Sequence, residues 1–184
     1  PVDGDQFLQS DDRTVFGLRA SHAFAHKLGG LDARSEVGVQ LRHDRIHNGL
    51  FTSAARAILA TTREDRIRQT QAGLYGYTAV EFAPEWRAVL GLRADHLRAH
   101  VAAGGGASAA QLSPKLTLVW TPTPKTEVFV NAGRGFHSND ARSTTITLDP
   151  KTLTPAEKVP ALVKSKGEEI WVRTEIVRGL QSSL

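Results

Sequence analysis

Arg87-Ala88-Val89-Leu90-Gly91-Leu92-Arg93-Ala94-Asp95-His96-Leu97-Arg98-Ala99-His100 decides how this chain folds. Ala88, Leu90, Leu92 and Ala94 occupy alternate positions, with Arg87, Gly91, Arg93 and Asp95 between them. A strand turns that period of two into one oily and one wet face. The same alternation recurs on both sides. Leu112, Leu116, Leu118 and Trp120 oppose Ser113, Lys115 and Thr117, and Val128, Val130 and Ala132 oppose Glu127, Phe129 and Asn131. Upstream, Phe16, Leu18, Ala20 and Phe24 alternate with Val15, Gly17, Arg19 and Ser21. Val37, Val39 and Leu41 alternate with Glu36, Gln40, Arg42 and Asp44, and Leu74, Val80 and Phe82 with Gln69, Gln71, Tyr75, Tyr77 and Glu81. The last full strand, near Ser165 to Ile176, sets Ile170, Val172 and Ile176 against Glu169, Arg173 and Glu175, and another begins near Gln181.

The connections alternate in length. Those near 27–31, 83–85, 121–126 and 177–180 are short and carry Gly or Pro, whereas those near 47–65, 101–110 and 137–160 are longer and rich in small polar residues. Short and long in strict turn is what an antiparallel meander across a membrane produces, with tight turns facing the periplasm and long loops the exterior. The expected fold is therefore all-β, an up-and-down meander of about eight strands forming part of a transmembrane β-barrel over residues 1–184. In the first long loop, Leu50, Ala54, Ala55, Ile58 and Leu59 approximate helical spacing after possible caps at Thr52 and Ser53, so a short helix is expected there.

Composition is compatible with this fold and does not select it. The 40% hydrophobic content suits an ordinary soluble domain of 184 residues. No run approaches a transmembrane helix, but a barrel strand hides its oily band in alternate positions. The absence of cysteine excludes a disulfide framework and thiolate metal sites. The net charge of +4 does not point to nucleic acid, because Lys and Arg are scattered among Asp and Glu. The chain has no initiating methionine and no signal peptide, and is expected to be a fragment of a longer protein.

Ser113-Pro114-Lys115-Leu116-Thr117-Leu118-Val119-Trp120-Thr121-Pro122-Thr123-Pro124-Lys125-Thr126-Glu127, followed by Asn131-Ala132-Gly133-Arg134-Gly135-Phe136-His137-Ser138-Asn139-Asp140-Ala141-Arg142, resembles the barrel of TonB-dependent outer-membrane receptors. Gly4-Asp5-Gln6-Phe7, Gly91-Leu92-Arg93-Ala94-Asp95 and Leu162-Val163-Lys164-Ser165-Lys166-Gly167-Glu168-Glu169 extend the resemblance over nearly the whole chain. It implies an outer-membrane barrel of about 22 strands with a plugged lumen. Such a receptor imports an iron-siderophore, cobalamin or another scarce small-molecule ligand. The implied partners are outer-membrane lipid, the rest of the barrel, its plug and, through the plug, the TonB complex. This sequence matches the middle of such a barrel, without plug, TonB box or terminal aromatic strand.

Several clusters invite chemistry. His22 and His26, His43 and His47, and His96 and His100 share a spacing that would serve a metal on a helix, but on a strand it separates the rings by roughly 13 Å. His137-Ser138-Asn139-Asp140 reads as a loop cap or turn, since adjacent residues on extended chain cannot align nucleophile, base and orienter. Gly104-Gly105-Gly106 and Gly133-Arg134-Gly135 lack the Lys-Ser/Thr of a phosphate loop. No catalysis, resident metal or cofactor is expected. The functional surface is the polar face, where Arg19, Arg42, Asp44, Gln69, Gln71, Tyr75, Arg93, Asp95, Asn131 and Arg173 project into the lumen as candidate ligand contacts. Their arginines could focus an anionic chelate, and the same residues could serve as a hydrogen-bonded wall. Specificity is assigned chiefly to the loop of Pro150, Pro155 and Pro160. Phe24, Phe82, Trp86 and Trp120 lie near the short turns, as an interfacial aromatic girdle would. The alternative reading is an autonomous small outer-membrane or lipocalin-like barrel with a structural or binding role.

Overall fold

The computed structural model describes residues 6–148, 154–177 and 179–183. Pro150, Gly4, Asp5 and Arg178 lie outside them. Eight strands follow one another in sequence order in a single curled antiparallel sheet. They are β1 (Gln6–Leu28), β2 (Leu31–Ala54), β3 (Ala57–Ala83), β4 (Trp86–Val101), β5 (Gly105–Thr123), β6 (Thr126–Ser138), β7 (Leu162–Val177) and β8 (Leu180–Ser183). Between β6 and β7 a five-residue helix, α1 (Ala141–Thr145), interrupts the connection. Among the described residues β1 is paired with β2 alone and β8 with β7 alone, so the sheet does not close on itself as the autonomous-barrel alternative requires.

Register fixes the faces. Arg19, Gln40, Gly73, Asp95 and Gln111 lie in one row across β1–β5, as do Ser21, Gly38, Tyr75, Arg93 and Ser113. Because directly paired residues share a face, all ten candidate wall residues point to the same, concave side. On this face Asp44, Asp65, Asp95, Leu97 and Val119 are buried, while Arg19, Gln40 and Lys115 are exposed. The convex face carries the exposed apolar residues Leu18, Leu41, Leu74, Leu90, Leu92, Leu112, Leu116, Val130 and Ile170. Soluble proteins rarely leave a contiguous apolar surface of this extent uncovered. Toward the short turns Phe82, Trp86 and Trp120 form a continuous stack at centroid separations of 6.3 and 5.8 Å. Phe24 stacks between His22 and His26, completing the aromatic edge expected from sequence.

Two of the three expected long loops are mostly strand. The region 47–65 contains no helix: β2 and β3 continue to Ala54 and Ala57, joined by Ala55 and Arg56 at positive φ of 47° and 67°. Five apolar residues cannot sustain an isolated helix in water, whereas extending an existing ladder satisfies a backbone pair at each step. Likewise 101–110 shrinks to Ala102–Gly104, because β5 begins at Gly105. β2 and β3, at 24 and 27 residues, are more than twice the roughly 10 residues a tilted strand needs to cross hydrocarbon, so their hairpin stands well clear of any bilayer.

Pro114 splits the sheet. The Thr121 N–H donates to Glu85 on the β4 side, so alternation directs the Pro114 nitrogen toward β6, where proline offers no donor. Pairing of β5 with β6 ends at Lys115 and Gly133, whereas β5 stays paired with β4 to Gly105 and β6 with β7 to Ser138. A seam opens between β5 and β6.

Both residues of the β2–β3 turn adopt the left-handed conformation that Asn-Gly favours and ordinary L residues resist. Replacing Ala55 and Arg56 by Asn and Gly is expected to stabilise the folded full-length protein by about 1–2 kcal/mol. Urea unfolding in lipid vesicles measures this, and an unchanged midpoint would rule the turn geometry out.

Candidate functional site: the concave wall

The concave wall is built on a repeated local device. Residues two apart on a strand share a face roughly 6.7 Å apart, which suits an Arg reaching a carboxylate on its own strand. Arg42 Nε and Nη2 donate to Asp44 at 2.8 and 2.9 Å, and Arg93 Nε and Nη2 donate to Asp95 at 2.7 and 2.6 Å. Arg63 Nε donates to Asp65 at 2.5 Å. At the short-turn end Arg173 pairs with Glu127 and lies over the Phe129 ring, which stacks on Trp171 at 3.9 Å. Gly73 makes the Arg93 pair possible, since a Cβ there would stand 2.4 Å from Arg93 Nη2 and 2.8 Å from Asp95 Oδ1.

The ten candidates divide among three places. Arg42, Asp44, Gln69 and Gln71 line a cleft of about 340 Å³ toward the long-hairpin end, together with Asp11, Arg13 and Asn48. Ser138, Asn139, Asp140, Ala141 and Arg142 cover it from the β6–β7 connection. The 137–140 cluster is indeed a cap: Asp140 is the N-cap of α1, and its Oδ1 accepts from the Arg142 N–H at 2.8 Å. Hydrogen bonds from the Arg142 guanidinium and then its backbone hold the Asp140 carboxyl below the ordinary range, against the opposing effect of burial. Ala141 seats on Ile46, Ile67, Ala99 and Val101, a small apolar core on the wall itself. Gly104 admits α1, because a Cβ there would come within 2.9 Å of Thr145 Oγ1.

Arg19, Tyr75 and Arg93 line a second cleft of about 550 Å³, beside the seam. The Tyr75 and Tyr77 hydroxyls donate to the two oxygens of Glu36 at 3.0 and 2.9 Å. Ser113, Lys115 and Arg134 complete this cleft, and the buried Ser113 Oγ has no hydrogen-bond partner among the described residues. Asp95 lies beneath Arg93, Asn131 accepts from Thr117 Oγ1 at 2.7 Å across the β5–β6 ladder, and Arg173 is remote from both clefts. The sequence reading missed Ser113 and Lys115 as site residues although their strand parity pointed to them. Arg134 had no such signal, because its parity is that of the convex face and only the seam admits it.

Fold and wall together define the class: a stretch of a large antiparallel barrel with a polar, ion-paired inner face. The family described as "TonB dependent receptor-like, beta-barrel" matches residues 2–160, and the chain belongs to it. Among solved structures, it is similar to the ferric citrate transporter FecA in its unliganded form. The identity is 15% and the TM-score 0.72, over 91% of this chain and 26% of that one. It is also similar to FpvA of P. aeruginosa in a pyoverdine–iron complex (12%, TM-score 0.75, 96% and 25%). A third is the alcaligin outer-membrane receptor FauA from Bordetella pertussis (17%, TM-score 0.65, 96% and 29%). At these identities the likeness concerns the fold, and the chain spans between a quarter and three-tenths of each structure's length. No curated protein sequence matches the chain.

Arg93→Ala leaves the carboxylate of Asp95, 1% exposed, without its bidentate partner. The expected cost is about 3 kcal/mol in the full-length protein, and Arg93→Ala with Asp95→Ala together should cost less than Arg93→Ala alone. Urea midpoints of the single and double variants decide it, and a double variant as unstable as the sum would refute the pairing argument.

Proposed function

We propose that this chain is wall and hairpin of an outer-membrane TonB-dependent receptor that takes up an anionic metal chelate such as an iron-siderophore, and performs no catalysis. The short turns lie in the periplasm and the long β2–β3 hairpin outside the cell. The convex apolar face meets lipid, and the remaining barrel strands pair with the free edges of β1 and β8. A plug fills the lumen and links it to the TonB complex.

One observation carries the ligand class. Around the cleft at the seam, Lys115 and Arg134 have no carboxylate partner among the described residues, while Arg42, Arg93 and Arg173 are neutralised by neighbours on the wall. The ligand contacts this favours are Lys115, Arg134, Ser113, Arg19 and Tyr75, with Arg42, Asp44, Gln69 and Gln71 lining the outer cleft above. Asp95 and Asn131 hold the wall in shape.

Uptake of radioactive iron as an anionic chelate, in cells making the full-length protein, tests this reading. Lys115→Glu with Arg134→Glu is expected to cut uptake about tenfold or more, the scale of losing one charge-assisted contact. Undiminished uptake would remove the cleft from the ligand path. The membrane assignment has its own test. Leu90→Arg, at a convex position 56% exposed, should destabilise the barrel by about 2–4 kcal/mol if it faces mid-bilayer. Gly91→Ser, on the concave face where a Cβ meets only ordinary contacts, should cost far less. Equal tolerance at both positions would reverse the facing.

A further inference from the structure

On the convex face, where β2, β3 and β4 rise beyond the apolar band, the outward residues change from aliphatic to basic. Leu18 and Leu41 are partners in the last aliphatic row; two residues further along β2 stand His43 and then Arg45. Arg45 is paired directly with Arg68, and Arg68 in turn with His100. Arg66 lies two residues beyond Arg68 on β3, and Arg98 one diagonal step away on β4. All four arginines are exposed. Like charges directly opposite on a sheet repel, and this pair is not relieved from within. Among the described residues none of Arg45, Arg66, Arg68 and Arg98 has a carboxylate within ion-pair distance. Among the described residues the acidic groups beside the belt are Asp12 and Glu64, and Glu64 is engaged by His47 Nε2 at 2.7 Å. On the concave side, by contrast, Arg42, Arg63, Arg93 and Arg173 have carboxylates two residues away or across a ladder. A cleft of about 540 Å³ lies among these groups, lined by Arg45, Arg66, Arg68, His47, His100 and Asp12.

We propose that this belt binds the phosphorylated headgroup of a membrane lipid, with the Arg45–Arg68 pair clamping one phosphate and Arg66 and Arg98 reaching a second anionic group. The inference rests on the membrane reading above. The position selects a lipid over a free anion, because the guanidinium groups sit at the edge of the apolar band, where a headgroup phosphate lies when its acyl chains cover Leu18 and Leu41. Two arginines directly paired on strands about 5 Å apart can bring their guanidinium groups to different oxygens of one phosphate. The anion relieves the repulsion that the sheet register imposes.

The test uses the full-length protein in detergent micelles doped with phosphatidic acid or phosphatidylcholine, with bound lipid counted by native mass spectrometry. Wild type is expected to retain phosphatidic acid about tenfold over phosphatidylcholine, and Arg45→Gln with Arg68→Gln to lose most of that preference. Arg45→Lys with Arg68→Lys should keep much of it, since charge is retained. No preference in wild type, or an unchanged preference in the Gln variant with native tryptophan emission, overturns the proposal. Displacement of the lipid by inorganic phosphate at equal concentration also overturns it, assigning the belt to a free ion. If the protein partitions into micelles as a folded barrel but binds no phosphatidic acid, this inference alone fails. If it does not partition, the membrane reading fails and the lipid site with it.

Discussion

Every feature of this sheet depends on the antiparallel ladder that joins β1 to β7, interrupted where β5 and β6 part. Where two strands are paired, the backbone N–H and C=O groups facing each other are answered by the neighbouring strand, which lets an extended chain exist away from water at all. The ladder also fixes register, and register fixes faces: a slip of one residue would exchange the aliphatic band for the ion-paired wall. Where a donor is lost, at Pro114, the consequence is architectural, since β5 and β6 part and a seam opens beside the second cleft.

The two faces handle charge differently. On the concave side Arg and Asp two residues apart on one strand neutralise each other, so the wall is polar without being strongly positive. A wall arginine is therefore a weak ligand candidate by itself. Among the described cations without a carboxylate partner are Lys115 and Arg134 at the seam and the convex belt around Arg45 and Arg68. Desolvated charge is costly unless answered, and the positions where the chain supplies no answer are where an external anion contributes most. The α1 segment adds a steric element, placing Ala141 on the apolar core of the wall and narrowing the outer cleft.

Much of this was legible in the sequence because strand periodicity is local. The alternation of Leu90, Leu92 and Ala94 with Arg93 and Asp95, repeated along the chain, identified the strands and the face of all ten wall residues. Gly-Gly and Pro-containing turns marked the short-turn end, and Phe82, Trp86 and Trp120 near it proved to be in contact. The tip of the β2–β3 hairpin was not legible. Ala55 and Arg56 carry none of the residues that favour positive φ, and the spacing of Leu50, Ala54 and Ile58 imitates a helix. Only the partner strand, which continues the ladder to Ala54 and Ala57, decides against it.

The sequence by itself determined strand order, facing and the family's barrel fold, because these follow from the period-two pattern and from turn chemistry within a few residues. Tertiary structure alone decided where unpaired charges meet. Whether Arg134 reaches the concave cleft and whether Arg45 confronts Arg68 depend on register between strands distant in sequence. Cross-strand distance, set by the ladder and its interruption at Pro114, is a property that no local pattern contains.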